Sequence, residues 1–144
     1  MLKSACIGTF VELDDQMKEL KYLHQSPISN QLANEDCSKR LRSDKYGGLY
    51  DPSGSTCVIV VITPSHIMCA NAGDSRACLN RNGKVIPLSF DHKPDNHVEY
   101  HRIKKAGGTV VMKRVDGDLA VSRGLGDFVY KGRKDLPLEC QKGK

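Results

Sequence analysis

The chain has 144 residues, of which 39% are hydrophobic and 27% charged, and its 22 Lys plus Arg against 17 Asp plus Glu give a formal net charge of +5. That length suits one domain, which buries about 68–70% of the surface its unfolded chain exposes. No apolar run reaches the ~18–20 residues that a bilayer span requires, and no continuous apolar stretch of a signal peptide stands at the N-terminus, so no membrane partner is expected. The basic excess lies wholly after Tyr50, with 15 basic against 10 acidic residues there. This excess suits phosphorylated or acidic partners. Nucleic acid is not expected, because Trp is absent and no aromatic residues interleave the basic ones. The six cysteines stand at 6, 37, 57, 69, 78 and 140, with no Cys-x-x-Cys pair. They read as free thiols in a reducing compartment, cytoplasmic or nuclear.

In chain order, Met1 to Leu23 reads as a helix. Phe10, Leu13, Met17 and Leu20 form one apolar stripe, and Asp14 with Lys18 makes an i,i+4 pair on another face. Gln25 to Pro52 is polar and punctuated by Pro27, Gly47, Gly48 and Pro52, which reads as a long loop or as a frayed helix end followed by a loop. Lys45-Tyr46-Gly47-Gly48 lacks the spacing of a nucleotide phosphate loop. Cys57 to Ile62 and Ile67 to Ala70 are apolar, rich in β-branched residues, and separated by the turn tetrad Thr63-Pro64-Ser65-His66, so they read as paired strands. The thiols of Cys57, Cys69 and Cys78 fall in apolar runs and are expected to be buried. Asn82-Gly83, between Ala77–Leu79 and Val85–Ile86, is a strong hairpin signal.

Further on, Asp91 and His92 read as a turn feature with hydrogen-bonded side chains. Asp95 or Asn96 starts a helix running to about Lys105, and Ala106-Gly107-Gly108 ends it. Thr109–Met112 and Leu119–Val121 are expected as two short strands joined at Val115-Asp116-Gly117-Asp118. His97 and His101 share a helix face, but Glu99 does not stand where a His-Glu-x-x-His zinc motif needs it. They read as exposed imidazoles. Lys131 to Lys144 reads as a basic, solvated, mobile tail.

The chemically suggestive stretch is Asn71-Ala72-Gly73-Asp74-Ser75-Arg76. A carboxylate at a strand end beside glycine either holds a cation or only closes a turn through local hydrogen bonds. Around it stand Ser53-Gly54-Ser55-Thr56, Asp91-His92-Lys93-Pro94, Glu99, Arg102-Ile103, Ala106-Gly107-Gly108 and the run from Arg114 to Asp127, which includes Ser122-Arg123-Gly124-Leu125-Gly126-Asp127. In this order and at these spacings the sequence resembles the central part of the metal-dependent serine/threonine protein phosphatases of the PPM, or type 2C, family. The likeness is dense from Ser53 to Tyr130.

The resemblance implies an α+β fold: part of a four-layer α-β-β-α sandwich of antiparallel sheets flanked by helices. It implies residues 1–52 as an N-terminal helix and polar loop, 53–130 as core strands and helix, and 131–144 as a basic flexible tail. It implies hydrolysis of phosphoserine and phosphothreonine in phosphorylated protein substrates by two Mn2+ or Mg2+ ions in an intact homologue. Hard cations of this kind take oxygen ligands, and a pair of them generates hydroxide and clamps the phosphoryl group. By the resemblance, Asp74 is a ligand of an additional, weaker metal site beside that pair, whereas Asp127 has a mainly structural part. The family's other ligand motifs, such as Asp-Gly-His-Gly-Gly and Asp-Gly-x-Trp-Asp, do not occur here. The chain therefore reads as a fragment, inactive in isolation, and no catalytic residue is assigned. An incomplete sandwich also implies self-association through exposed sheet edges. The competing reading is a non-catalytic interaction module for phosphorylated or acidic partners. Arg123 is expected to pair with Asp118 or Asp127.

Overall fold

The computed structural model describes residues 2–23, 42–43, 49–50, 52–132, 136 and 140–143. Its first element is helix α1 (Leu2–Leu23). The face that turns inward carries Cys6, Phe10, Val11, Asp14 and Met17, whereas Leu13 is 40% exposed. Phe10 and Met17 of the expected stripe thus turn inward, but Leu13 does not, and Asp14 takes the inward place beside it. Asp14 pairs with Lys131 rather than Lys18: the ammonium donates to both carboxylate oxygens at 2.8 Å. The backbone N–H of Gly126 donates to Asp14 Oδ1 at 2.8 Å.

The long polar loop expected over residues 25–52 lies mostly outside the described residues. Two short strands do form in it, β1 (Arg42–Ser43) and β2 (Leu49–Tyr50), paired antiparallel. Next come β3 (Gly54–Ser55), β4 (Cys57–Ile62) and β5 (Ile67–Ala72). β4 and β5 form the longest ladder, in register from Cys57 opposite Ala72 to Ile62 opposite Ile67. Thr63 closes its loop, as its N–H and its hydroxyl both donate to the His66 carbonyl, at 2.9 and 3.1 Å.

The hairpin of β6 (Cys78–Arg81) and β7 (Lys84–Pro87) turns where the sequence places it. Asn82 (φ 52°) and Gly83 (φ 77°) both adopt left-handed backbone, which matches the right-handed twist of the strands.

Helix α2 (His97–Lys105) follows. Asn96 occupies its N-cap position, but the side chain makes no cap bond and donates instead to the Asp91 carbonyl at 2.7 Å. The C-terminal end is closed by Gly107 at φ 76°. Gly107 N–H donates to Lys104 O at 3.0 Å and Gly108 N–H to Ile103 O at 2.9 Å, the paired bonds of a Schellman cap.

The expected strand at Leu119–Val121 does not form. β8 (Val110–Val111) pairs instead with β9 (Arg114–Val115), and Leu119 makes one isolated bridge to Val115. The tight turn is at Met112 and Lys113, both left-handed. Its two-residue length fixes the register and draws Val115 back to face Val110. Finally β10 (Leu125–Gly126) pairs with β3, and a 3-10 turn covers Phe128–Lys131.

The fold is α+β: antiparallel ladders flanked by two α-helices, a portion of a four-layer α-β-β-α arrangement. α1 lies against β10, β5 and β2, and α2 against β8. Among the described residues, the buried apolar ones are Ile103 and Ala106 at the end of α2, Val115 of β9 and Leu125 of β10, which faces α1. The apolar side chains of β4 and β5 are less covered, with Ile59, Val60, Ile62 and Ile67 exposed. Among the expected buried thiols, Cys57 and Cys69 are half-buried and Cys78 is exposed, because the β6–β7 hairpin presents that face to solvent. Of the segment read as a solvated tail, Lys131, Gln141 and Gly143 are buried. The cause is pairing with the body: Lys131 with Asp14, the Gln141 carbonyl with Arg102, and Lys142 with Asp116 at 2.9 Å.

Candidate metal-ligand turn and its ion-pair frame

Asp74 stands just beyond the end of β5, and Gly73 sets the bend. Gly73 has φ 115°, and a Cβ there would lie 2.3 Å from Thr56 Cγ2. Only glycine lets the turn close onto the start of β4. That approach brings Ser75 Oγ to 2.7 Å from Thr56 Oγ1. On the other side, Gly73 N–H donates to His92 Nδ1 at 3.1 Å, and His92 N–H donates to Gly73 O at 3.0 Å. Asn71 Nδ2 donates to Gly73 O at 3.1 Å and to Phe90 O at 2.9 Å. The turn is thus held by groups on both flanks.

Two ion pairs frame it. The Lys93 ammonium donates to Asp74 Oδ2, with both side chains partly exposed. Arg76 grips Asp91 through two parallel bonds of 2.6 and 3.1 Å. This fork holds the Asp91 carboxyl below its ordinary range. Asp91 and His92 therefore act as the hydrogen-bonded turn feature that the sequence suggests.

Deeper in, Glu99 is only 4% exposed. Arg102 donates to its Oε2 at 2.7 Å, and Arg123 donates to its Oε1 at 2.6 Å. Burial pushes the Glu99 carboxyl up, but the hydrogen bonds from Arg123 and then Arg102 prevail and hold it at about 2. Arg123 therefore does not pair with Asp118 or Asp127. Asp118 accepts from the Tyr130 hydroxyl at 2.9 Å, and Glu99 offers Arg123 a buried carboxylate with both oxygens in line. Arg102 also donates to Ser122 O at 2.5 Å, and Ser122 N–H donates to His92 O at 2.9 Å. One continuous chain of bonds thus joins Glu99 to the turn through His92. Burial, and then the Arg123 charge, push the His92 imidazole below its ordinary pKa. It is neutral, with Nδ1 as acceptor.

Asp127 lies elsewhere, at φ 49°, with its carboxylate against Gly54. Its N–H donates to Ser53 O at 3.1 Å. Burial raises its pKa, with Lys131 opposing and Asp14 adding to the rise. Sequence reasoning names Asp74, Glu99, Lys93 and Arg123 without joining them. The one local signal is the i,i+3 spacing of Glu99 and Arg102.

A hard divalent cation needs about six or more oxygen ligands, several of them carboxylate. Among the described residues, no group of three His, Cys, Asp or Glu converges in that way. Asp74 offers one carboxylate, already paired with an ammonium. The described donors do not by themselves fit a metal cage.

The protein phosphatase 2C family model matches residues 2–141. Probable protein phosphatase 2C 21 of Oryza sativa subsp. japonica is 38% identical over 145 residues, covering 97% of this chain and 42% of its own length. Protein phosphatase 1B of Rattus norvegicus is 56% identical over 89 residues, covering 62% of this chain and 23% of its own. A phosphatase from a pathogenic strain of Toxoplasma gondii, known from its crystal structure, superposes with TM-score 0.51 at 46% identity, covering 54% of this chain and 24% of that one. The fold is that of the metal-dependent phosphatase class. The chain belongs to the protein phosphatase 2C family, and it spans less than half the length of these relatives.

Proposed function

We propose that the chain contributes to a metal-dependent protein serine/threonine phosphatase. Asp74 is one carboxylate of an additional Mn2+ or Mg2+ site beside a two-metal centre. Phosphorylated proteins are the substrates, and the compartment is cytoplasmic or nuclear. Residues 53–130 act as the core unit, 1–52 as its flanking helix and loop, and 131–144 as its basic terminal segment. The observation that carries this reading is the placement of Asp74. It is partly exposed on a turn locked from both flanks, and its partner is a long, flexible lysine that an incoming cation displaces. The free cysteines Cys6, Cys57, Cys69, Cys78 and Cys140 support a reducing compartment. The exposed apolar residues of β4 and β5 support self-association of this chain by itself.

A second reading is a non-catalytic module for phosphorylated or acidic partners. It is favoured by an open cleft of about 490 Å3 bordered by three cations, Lys93, Lys113 and Arg114, against one carboxylate, Asp95, which pairs with Lys113. One experiment separates the two: hydrolysis of an aryl phosphate by the full chain in excess manganese, beside Asp74→Asn. The fragment reading expects no turnover above the control. Manganese-dependent turnover that drops in Asp74→Asn shows a working site assembled within this chain. Phosphopeptide binding without turnover, weakened by Arg114→Ala, supports the module.

A further inference from the structure

We infer that His97 and His101 form a two-histidine chelate for a borderline divalent transition-metal ion of the zinc type, on the outer face of α2. Both side chains are exposed, one helical turn apart at the start of the helix. Their Nε2 atoms stand 3.1 Å from each other. The ring centroids are 4.4 Å apart with the planes at 74°, and the Tyr100 ring meets the edge of His101 at 5.7 Å. The two ring nitrogens thus lie side by side at the exposed face of the helix, and a small rotation of each ring turns both lone pairs toward one point.

That separation is the bite of a single metal ion. With metal–nitrogen bonds of about 2.0–2.1 Å, two imidazole nitrogens on one ion lie about 2.9 Å apart at a right angle and about 3.3 Å apart at a tetrahedral angle. The observed distance falls between them. Without metal, the same approach is a hydrogen bond in which one Nε2–H donates to the other Nε2. On binding, the acceptor ring gives its lone pair directly. The donor ring moves its hydrogen to Nδ1 and gives the second. Both rings stay neutral, the ion keeps its charge and oxidation state, and no proton is lost from the pair. Among the described residues, no third His, Cys, Asp or Glu joins the two.

The choice of ion follows from the donors. Imidazole nitrogen suits zinc, copper and nickel, whereas magnesium and manganese favour carboxylate, carbonyl and water oxygen. This site is therefore chemically separate from the oxygen-donor position at Asp74 and stands whether or not that proposal holds. A bound ion clamps the first turn of α2, and the opposite face of that helix holds Glu99.

The test is a titration of the full chain with zinc chloride, read by the 15N resonances of the imidazole rings. The ring signals of His97 and His101 are expected to move together and saturate at the same zinc concentration, with magnesium chloride moving neither. His97→Asn or His101→Asn is expected to weaken zinc binding at least tenfold, and His66→Asn to leave it unchanged. Zinc that shifts only one of the two rings overturns the inference. So does zinc that binds both asparagine variants as tightly as the parent, which is the result expected if the thiols are the ligands. The ring shifts of the unsubstituted chain decide the matter even if a variant fails to fold.

Discussion

Replacing Glu99 by glutamine removes one negative charge and keeps the side-chain shape. In the folded chain that charge is buried and shared by two guanidinium groups. The carboxyl falls from an ordinary 4.5 to about 2 on folding, which corresponds to about 3 kcal/mol of stabilisation. Independent experience with buried pairs that lose one partner gives about 3–5 kcal/mol. Against a total of about 5–15 kcal/mol for a domain, the loss is large. In urea, with a slope near 2 kcal/mol per molar, Glu99→Gln is expected to lower the unfolding midpoint by about 1.5 M at pH 7. The pH dependence has a definite sign. A depressed carboxylate stabilises fully above its unfolded value and loses that contribution as pH falls through the folded one. The gap between parent and variant should therefore hold from pH 7 down to 4.5 and then narrow by about 1.4 kcal/mol per pH unit. Circular dichroism during urea titration at pH 7, 5 and 3.5 measures this. A variant within about 0.5 kcal/mol of the parent at pH 7 would refute the claim that Glu99 neutralises Arg102 and Arg123.

Three further outcomes are expected. His92 is held neutral and below its ordinary value of 6.5, so the folded chain binds fewer protons than the unfolded one. Stability should fall as pH drops below 6.5, and His92→Asn should flatten the urea midpoint between pH 7.5 and 5.5, which stability curves at several pH values will show. Lys131→Met leaves the largely covered Asp14 carboxylate with the Gly126 N–H but without its ammonium and should cost about 3 kcal/mol. The double variant with Asp14→Leu should recover most of the loss in a double-mutant cycle. Gly73→Ala combines left-handed backbone with a clash against Thr56 and should cost more than about 2 kcal/mol. Gly83→Ala, whose Cβ meets open space, should cost only about 1 kcal/mol. Thermal unfolding of the two variants side by side checks the contrast.

Features set by neighbours in sequence were legible before the structure. Asn82-Gly83 demands left-handed backbone at two successive residues, and a hairpin supplies it. Gly107 after a helical pattern supplies the carbonyl-capping turn. The bend at Gly73-Asp74 follows from glycine beside a short polar side chain. What escaped was the choice of partner across the chain. Arg123 has three acidic candidates, and sequence distance favours Asp118 and Asp127 over Glu99. Only the packing of α2 against the segment around Ser122 puts the buried carboxylate within reach. The inward face of α1 escaped for a related reason. Apolarity alone selects Leu13, but Gly126 N–H and the Lys131 ammonium make a carboxylate at position 14 favourable inside. In the same way Lys93 stands beside Asp74 because the 73–92 backbone pair draws the two segments together. The missing strand at Leu119–Val121 reflects a strand-reversing turn that forms four residues earlier than glycine alone suggests, at Met112-Lys113 rather than Asp116-Gly117.

The link between Asp14 and Lys131 spans 117 residues of sequence. It has a consequence for the chain while it is being made. At about 5–20 residues per second, the ribosome needs roughly 6–23 s after adding Asp14 to add Lys131. Throughout that interval the carboxylate on the inner face of the first helix is without the ammonium that meets it in the folded chain. β10 and the Gly126 N–H are added only shortly before that ammonium. The helix can form early and meet β2 and β5 as they emerge, but its seat on β10 is completed last, so a nascent chain stalled before Lys131 leaves that part of its inner face open to chaperones.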